Sequence, residues 1–177
     1  MRSKLMMLFS VLLILVVGAP VLAGGPVYID LPDLEGQEIV FAVENLYPPF
    51  QFEEAATGEA IGYEYDMIAE LADRLNFVPV FQATSFDVLI SAVGDAQYDA
   101  GITGISIRDE RKTIVDFSDP YINLDQYLLV RVDEDRFTNM DEFVADDSLI
   151  MGVQAGTSGF FVTEGVVPEA RRVVYNE

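Results

Sequence analysis

The chain has 177 residues, 51% of them hydrophobic, with 30 Asp and Glu against 10 Lys and Arg and a net charge of −20. That length and apolar content exclude a disordered tail and suit one ordinary domain, while a polyanion of this kind repels nucleic acid and anionic lipid, so neither is expected as a partner. With no histidine and no cysteine, the commonest catalytic groups, thiol chemistry and disulfides are all absent.

Residues 1–23 read as a secretory signal. Arg2 and Lys4 supply the positive start, residues 5–17 are apolar apart from Ser10, and Val21-Leu22-Ala23 offers small residues for cleavage after Ala23. The apolar run is shorter than the roughly 20 residues that span a bilayer, so no stable membrane insertion is expected after cleavage. No cysteine follows the run to carry a lipid anchor, and the product is expected in a periplasm. Cleavage removes two cations and no acid, which leaves the mature protein more acidic still.

Residues 24–36, rich in glycine, proline and acid, read as an exposed linker. Residues 39–43 form a continuous apolar run, the pattern of a strand covered on both faces. In residues 44–50 (ENLYPPF) two prolines exclude both ladder and helix, so a loop follows. A turn signal at Thr57-Gly58 predicts a β-hairpin within residues 50–62. Met67, Ile68, Leu71 and Leu75 mark one face of a helix over residues 63–76. Residues 78–82 read as a second strand. Phe86, Leu89, Ile90 and Val93 then predict a helix over residues 85–93 with Ser85 near its cap, and residues 100–102 a third strand.

Strand, helix, strand, helix, strand is the order of an open parallel α/β sheet with right-handed crossovers. Ligands of such sheets bind beyond the carboxyl ends of the strands. The loops at residues 44–50 and 103–111 both fall there, so they are expected to face one ligand.

Residues 99–121 (DAGITGISIRDERKTIVDFSDPY) carry most of the functional content. Thr103, Gly104 and Ser106 let a backbone approach a ligand closely and add hydroxyls. If residues 107–113 form a helical turn, its free N–H groups point toward Ser106 and, with the Arg111 guanidinium, make a receptor for a carboxylate. The Gly104 carbonyl is then placed to accept from an ammonium. For an isolated arginine the blander reading would be an exposed ion pair with Asp109, Glu110 or Asp116, worth about 0–1 kcal/mol.

After Tyr121 the pattern starts again: residues 127–132 (YLLVRV) as a strand, 140–145 as a short helix, 149–153 as a strand. Gly156-Thr157-Ser158 opens a further helical segment. Such a turn suits an anion, although from spacing alone a plain capping turn explains it as well.

The combination of Gly104, Ser106, Arg111 and Val115-Asp116-Phe117-Ser118-Asp119-Pro120-Tyr121 resembles the bacterial extracellular solute-binding proteins of family 3, the amino-acid receptors of ABC importers. Gly62-Tyr63-Glu64-Tyr65-Asp66 is similar to that family's helix-opening motif, with Tyr65 where an aliphatic residue is more usual. Val167-Pro168-Glu169-Ala170-Arg171 and Val174-Tyr175 match as well. The resemblance implies a type II periplasmic-binding-protein fold, an α/β Venus flytrap. Lobe one would then span residues 37–121, and residues 122–177 would hold the hinge, near residues 121–125, and an incomplete lobe two. It also implies roles: Ser106 and Arg111 for a ligand α-carboxylate, the Gly104 carbonyl for the α-amino group, and Thr157 and Ser158 closing from lobe two. Tyr47 and Phe86 would sandwich the ligand side chain, and Glu44 stands where members with cationic ligands keep an acid.

The expected function is therefore a receptor for an amino acid, polar or basic, that delivers to an ABC importer permease. It is expected to be no enzyme and to need no cofactor or metal. The alternatives are the sensory input domain of a membrane receptor, or an enzyme of the same fold related to dehydratases or lytic transglycosylases.

Overall fold

The computed structural model describes residues 30–176. The expected signal, residues 1–23, and the first part of the expected linker lie outside the described residues. Of that linker, Leu34 and Gly36 are fastened to the end of the first helix by backbone bonds to the Leu75 and Asn76 carbonyls (2.8 and 2.7 Å).

The chain first lays down β1 (Gln37–Val43), whose last three residues are buried. Two short antiparallel pairings follow, joining β2 (Leu46–Tyr47), β3 (Gln51–Glu53) and β4 (Ala60–Ile61). The hairpin expected around Thr57-Gly58 is β3–β4. Helix α1 (Tyr63–Leu75) ends at Asn76, which adopts the left-handed conformation that closes many helices. Then come β5 (Phe77–Ala83), α2 (Phe86–Gly94) and β6 (Ala100–Gly101).

Strands β5, β1 and β6 form a parallel sheet in that order, with β1 in the middle. This placement explains the uninterrupted apolar run of β1, since a central parallel strand is covered on both faces. On one face Phe41, Val43, Ile68 and Ile102 form a cluster backed by Met67, Phe77 and Phe81. On α2, Leu89 is fully buried, and its methyl group lies where a Cβ on Gly101 would come within 2.7 Å. Glycine at 101 is what lets α2 approach the sheet this closely.

A short helix α3 (Asp109–Lys112) follows, and the chain crosses to a second cluster built on α4 (Met140–Ala145), β7 (Met151–Gln154), α5 (Ser158–Thr163) and β8 (Arg172–Tyr175). Strands β7 and β8 pair in parallel. Phe143, Leu149, Met151 and Val167 form the core of this half. Beside it Arg171, 7% exposed, donates to the carbonyls of Phe143, Val144 and Leu149 at 2.7, 2.8 and 2.9 Å. A cation on the last carbonyls of α4 is well matched to the negative end of that helix.

One expected element is not a strand. Residues 127–131 take no regular secondary structure, Val132 lies in a turn closed by the Glu134 N–H on the Arg131 carbonyl at 3.1 Å, and Leu129 and Val132 are fully exposed. A β-prone composition becomes a strand only when a neighbouring strand takes up its N–H and C=O groups, and no described strand pairs with it here.

Candidate functional site

The parallel sheet brings the loop after β1 and the loop after β6 to one rim, and a buried polar pair fastens them together. Gln51, 1% exposed, accepts the N–H groups of Glu44 and Asn45 on Oε1 at 3.0 and 3.2 Å. Its Nε2 donates to the Ile102 carbonyl and to Glu64 Oε2, the latter at 2.8 Å. Glu64, in the first turn of α1 and equally buried, in turn accepts the Gly104 N–H (2.8 Å) and the Tyr121 hydroxyl on Oε1. Burial, and next the hydrogen bond to Glu64, push the Tyr121 phenol well above its ordinary pKa. It remains a donor at every physiological pH.

Gly104 has φ +58°, and a Cβ there would meet the Tyr47 ring at 2.5 Å. Both the backbone sign and the flat ring against it require glycine. Tyr47 stacks in turn on Phe50, with centroids 5.1 Å apart. Phe86 opens α2, and its N–H reaches Glu44 Oε1 at 3.3 Å. Ser85 precedes it in extended conformation but makes no side-chain cap bond, so this carboxylate supplies what the serine was expected to supply.

Arg111 is 6% exposed. Its Nη1 donates to the Ser106 carbonyl and its Nη2 to the Gly156 carbonyl, both at 2.8 Å, and the guanidinium carbon lies 5.3 Å from the Phe86 ring centroid. The nearby acids are used elsewhere: Glu110 pairs with Arg108 at 2.8 Å and Asp109 with Lys112 at 3.0 Å. Among the described residues no ion pair within 4.0 Å involves Arg111. Burial, then the Arg108 charge, lower its pKa from the usual arginine value, yet a guanidinium stays protonated in proteins. The site therefore holds a desolvated cation satisfied by neutral carbonyls, not the exposed ion pair of the blander reading.

From the other side, Thr157 caps α5: its hydroxyl accepts the Phe160 N–H at 3.2 Å and donates to the Gln154 carbonyl at 2.8 Å. The Ser158 hydroxyl instead reaches across to the Ser106 hydroxyl at 2.8 Å. Between the two halves lies a cleft of about 980 Å³, at the upper end of the range for small-molecule sites. Glu44, Tyr47, Phe86, Gly104, Ser106, Thr157 and Ser158 line it, and Arg111 stands behind Ser106.

Sequence reasoning named Thr103 as a hydroxyl beside Gly104 and missed three further polar residues here. Thr103, 3% exposed, lines the cleft with its hydroxyl unpartnered among the described residues. Gln154, at the carboxyl end of β7, donates to Glu44 Oε1 at 2.5 Å. Gln51 and Glu64 hold the rim from beneath. A polar side chain at the end of an apolar strand run, as in Val153-Gln154, is the signal that would have found Gln154. Among the described residues no group of three or more Asp, Glu, His or Cys is arranged to hold a metal ion, and no helix is long and apolar enough to cross a membrane.

Residues 39–173 match the model of the bacterial extracellular solute-binding proteins, family 3. An arginine-binding periplasmic protein of Mannheimia haemolytica is 34% identical over 101 residues, which is 57% of this chain and 42% of that protein. Among solved structures, an ancestral arginine-binding protein bound to arginine superposes with TM-score 0.73 at 26% identity, covering 81% of this chain and 62% of the other. An ancestral amino acid-binding protein, a precursor of cyclohexadienyl dehydratase, gives 0.72 at 27% identity over 79% and 61%. The chain thus spans about half the length of the curated relatives it matches.

Proposed function

Because the chain belongs to the bacterial extracellular solute-binding proteins of family 3 and has the type II periplasmic-binding-protein fold of its solved neighbours, we propose that it is a periplasmic receptor for an amino acid with a polar or basic side chain, which it hands to an ABC importer. It works by closure around the solute and not by turnover. The observation that carries this reading is the buried Arg111 guanidinium behind the cleft-lining Ser106, held among the described residues by neutral carbonyls and the Phe86 ring. A desolvated cation of this kind gains most from an anionic group, and a carboxylate offers the two-pronged match.

In this mechanism Ser106 and Arg111 dock the carboxylate on the first lobe. The Gly104 carbonyl accepts from the ammonium, and Tyr47 and Phe86 flank the side chain. Thr157 and Ser158 close over the bound solute, with the hinge at residues 121–125. The arginine-binding relatives support a basic ligand, as does the Glu44 carboxylate in the cleft lining.

A thermal-shift screen of the amino acids tests the reading. A solute at a hundredfold excess over its dissociation constant adds about 2.7 kcal/mol of stability, so a true ligand stands out. Arginine or another basic amino acid is expected to raise the midpoint, and a screen in which none does rejects the assignment. Turnover of prephenate or arogenate would place the protein with the enzymes of this fold instead.

The role of Glu44 has its own test. In Glu44→Gln the shape and the acceptor for Phe86 N–H persist while the charge is lost. A hydrogen bond to a charged group contributes about 1.5–3 kcal/mol. Affinity for arginine is therefore expected to drop about 10- to 100-fold, and affinity for a neutral polar amino acid to change less than about threefold. Equal losses for both in calorimetry would remove Glu44 from side-chain recognition.

A further inference from the structure

We propose that Glu64 is a positioning residue that ties the ligand-facing residue Gly104 to Tyr121, the first residue of the crossover, so that the ammonium acceptor and the hinge move as one unit. The inference rests on the receptor reading above and adds how closure is transmitted to that site.

Three segments meet on this one side chain. Gly104 N–H and the Tyr121 hydroxyl both donate to Oε1, and Gln51 donates to Oε2. Glu64 is 1% exposed and takes part in no ion pair among the described residues. Its carboxylate is therefore held in the interior by these donors and by the positive end of the 13-residue α1. A buried acceptor that loses a donor loses what offset its desolvation, so the donors are not independent of one another. Displacing Tyr121 frees the carboxylate oxygen that pins Gly104.

Gly104 has little room to answer other than by turning. Its φ is +58°, the Tyr47 ring covers the face where a side chain would stand, and its N–H is fixed by Glu64. The direction of its carbonyl follows from those constraints. At the other end Tyr121 is stacked on Tyr63, centroids 6.2 Å apart at 30°, and Tyr63 meets Phe50 edge-on. Phe50 carries Tyr47. The aromatic row and the hydrogen-bonded chain thus connect the same two places by separate routes, and only the second passes through Glu64. The hydroxyl of Tyr121 is the part that distinguishes them.

The deciding variant is Tyr121→Phe in the full chain, which removes that hydroxyl and keeps the ring on Tyr63. Amino-acid affinity is expected to fall about 3- to 10-fold, the scale of one lost hydrogen bond, and the melting midpoint by a few degrees, since the buried carboxylate loses one donor and keeps those of Gly104 and Gln51. In ligand-free protein, hydrogen exchange at the Gly104 amide is expected to quicken by a similar factor. Glu64→Gln should do both more strongly, and the double variant should be no worse than Glu64→Gln alone, as for residues in one network. Parental Gly104 exchange in Tyr121→Phe, or losses that simply add in the double variant, would overturn the link. If the parent binds no amino acid, the receptor reading falls, and Gly104 exchange in Tyr121→Phe still decides the connection. The same measurement decides it should Glu64→Gln fail to fold.

Discussion

Arg111→Ala is expected to lose amino-acid binding by two orders of magnitude or more while the first lobe keeps its secondary structure. Truncating one partner of a buried, hydrogen-bonded charge pair costs about 2–5 kcal/mol, which is about 30- to 5,000-fold in affinity. The large value applies because the guanidinium is 6% exposed and has no acidic neighbour in ion-pair range among the described residues, so the solute carboxylate would be its first full counter-charge. Arg111→Lys keeps the charge but not the planar fork, and is expected to recover only part of the loss. Calorimetry on the two variants separates charge from geometry. Parental affinity in Arg111→Ala would leave the carboxylate receptor without its anchor and end the reading.

The largest effect on stability is expected from Gly62→Ala. Gly62 sits at φ +135° and ψ 173°, a region open essentially to glycine alone. An added Cβ would lie 2.7 Å from the Phe50 carbonyl carbon and 2.9 Å from the Pro49 oxygen. These are backbone atoms, and they cannot step aside as a side-chain tip would. The same two carbonyls receive the N–H groups of Tyr63 and Glu64 at 3.1 and 3.0 Å, which is how α1 is started. Relieving the clash therefore breaks the first turn of the helix and disturbs Phe50 beneath Tyr47. Backbone strain alone costs about 1–3 kcal/mol, and with the lost bonds a destabilisation of about 3 kcal/mol or more is expected. For a chain of this size that is a drop of roughly 6–12 °C in the melting midpoint. A midpoint within a degree or two of the parent would show that the turn relaxes without cost.

What could be read from the amino acids in advance divides along sequence distance. Helices α1, α2 and α4 and strands β1 and β5 rest on apolar spacing within one turn or one strand, and their spans follow from it to within a residue or two. Gly104, Ser106 and Asp119-Pro120-Tyr121, which line the cleft, stand out in the sequence because they lie at fixed offsets from one another and from Arg111 in one short run. The fastening of the rim was not legible. Gln51 meets Ile102 across 51 residues, and Gln154 meets Glu44 across 110. Nothing local to Glu64 distinguishes a buried acceptor from any of the other acids on an anionic chain. Arg111 shows the same limit from the opposite side: three acids within five residues suggest a salt bridge, yet the side chain turns inward to carbonyls. Residues 127–132 fail for a different reason, since strand character is a property of two chains and only one is legible in YLLVRV.

Three hydrogen bonds run between the halves, from Ser158 to Ser106, from Arg111 to Gly156 and from Gln154 to Glu44, and they fasten the parts that the proposed closure must separate. On the receptor reading, these bonds have to break before the halves can separate around a solute. At high solute concentration the association rate of such a receptor is then expected to be limited by the breaking of these bonds and not by diffusion, and its apparent affinity to be scaled down by the fraction of time spent open.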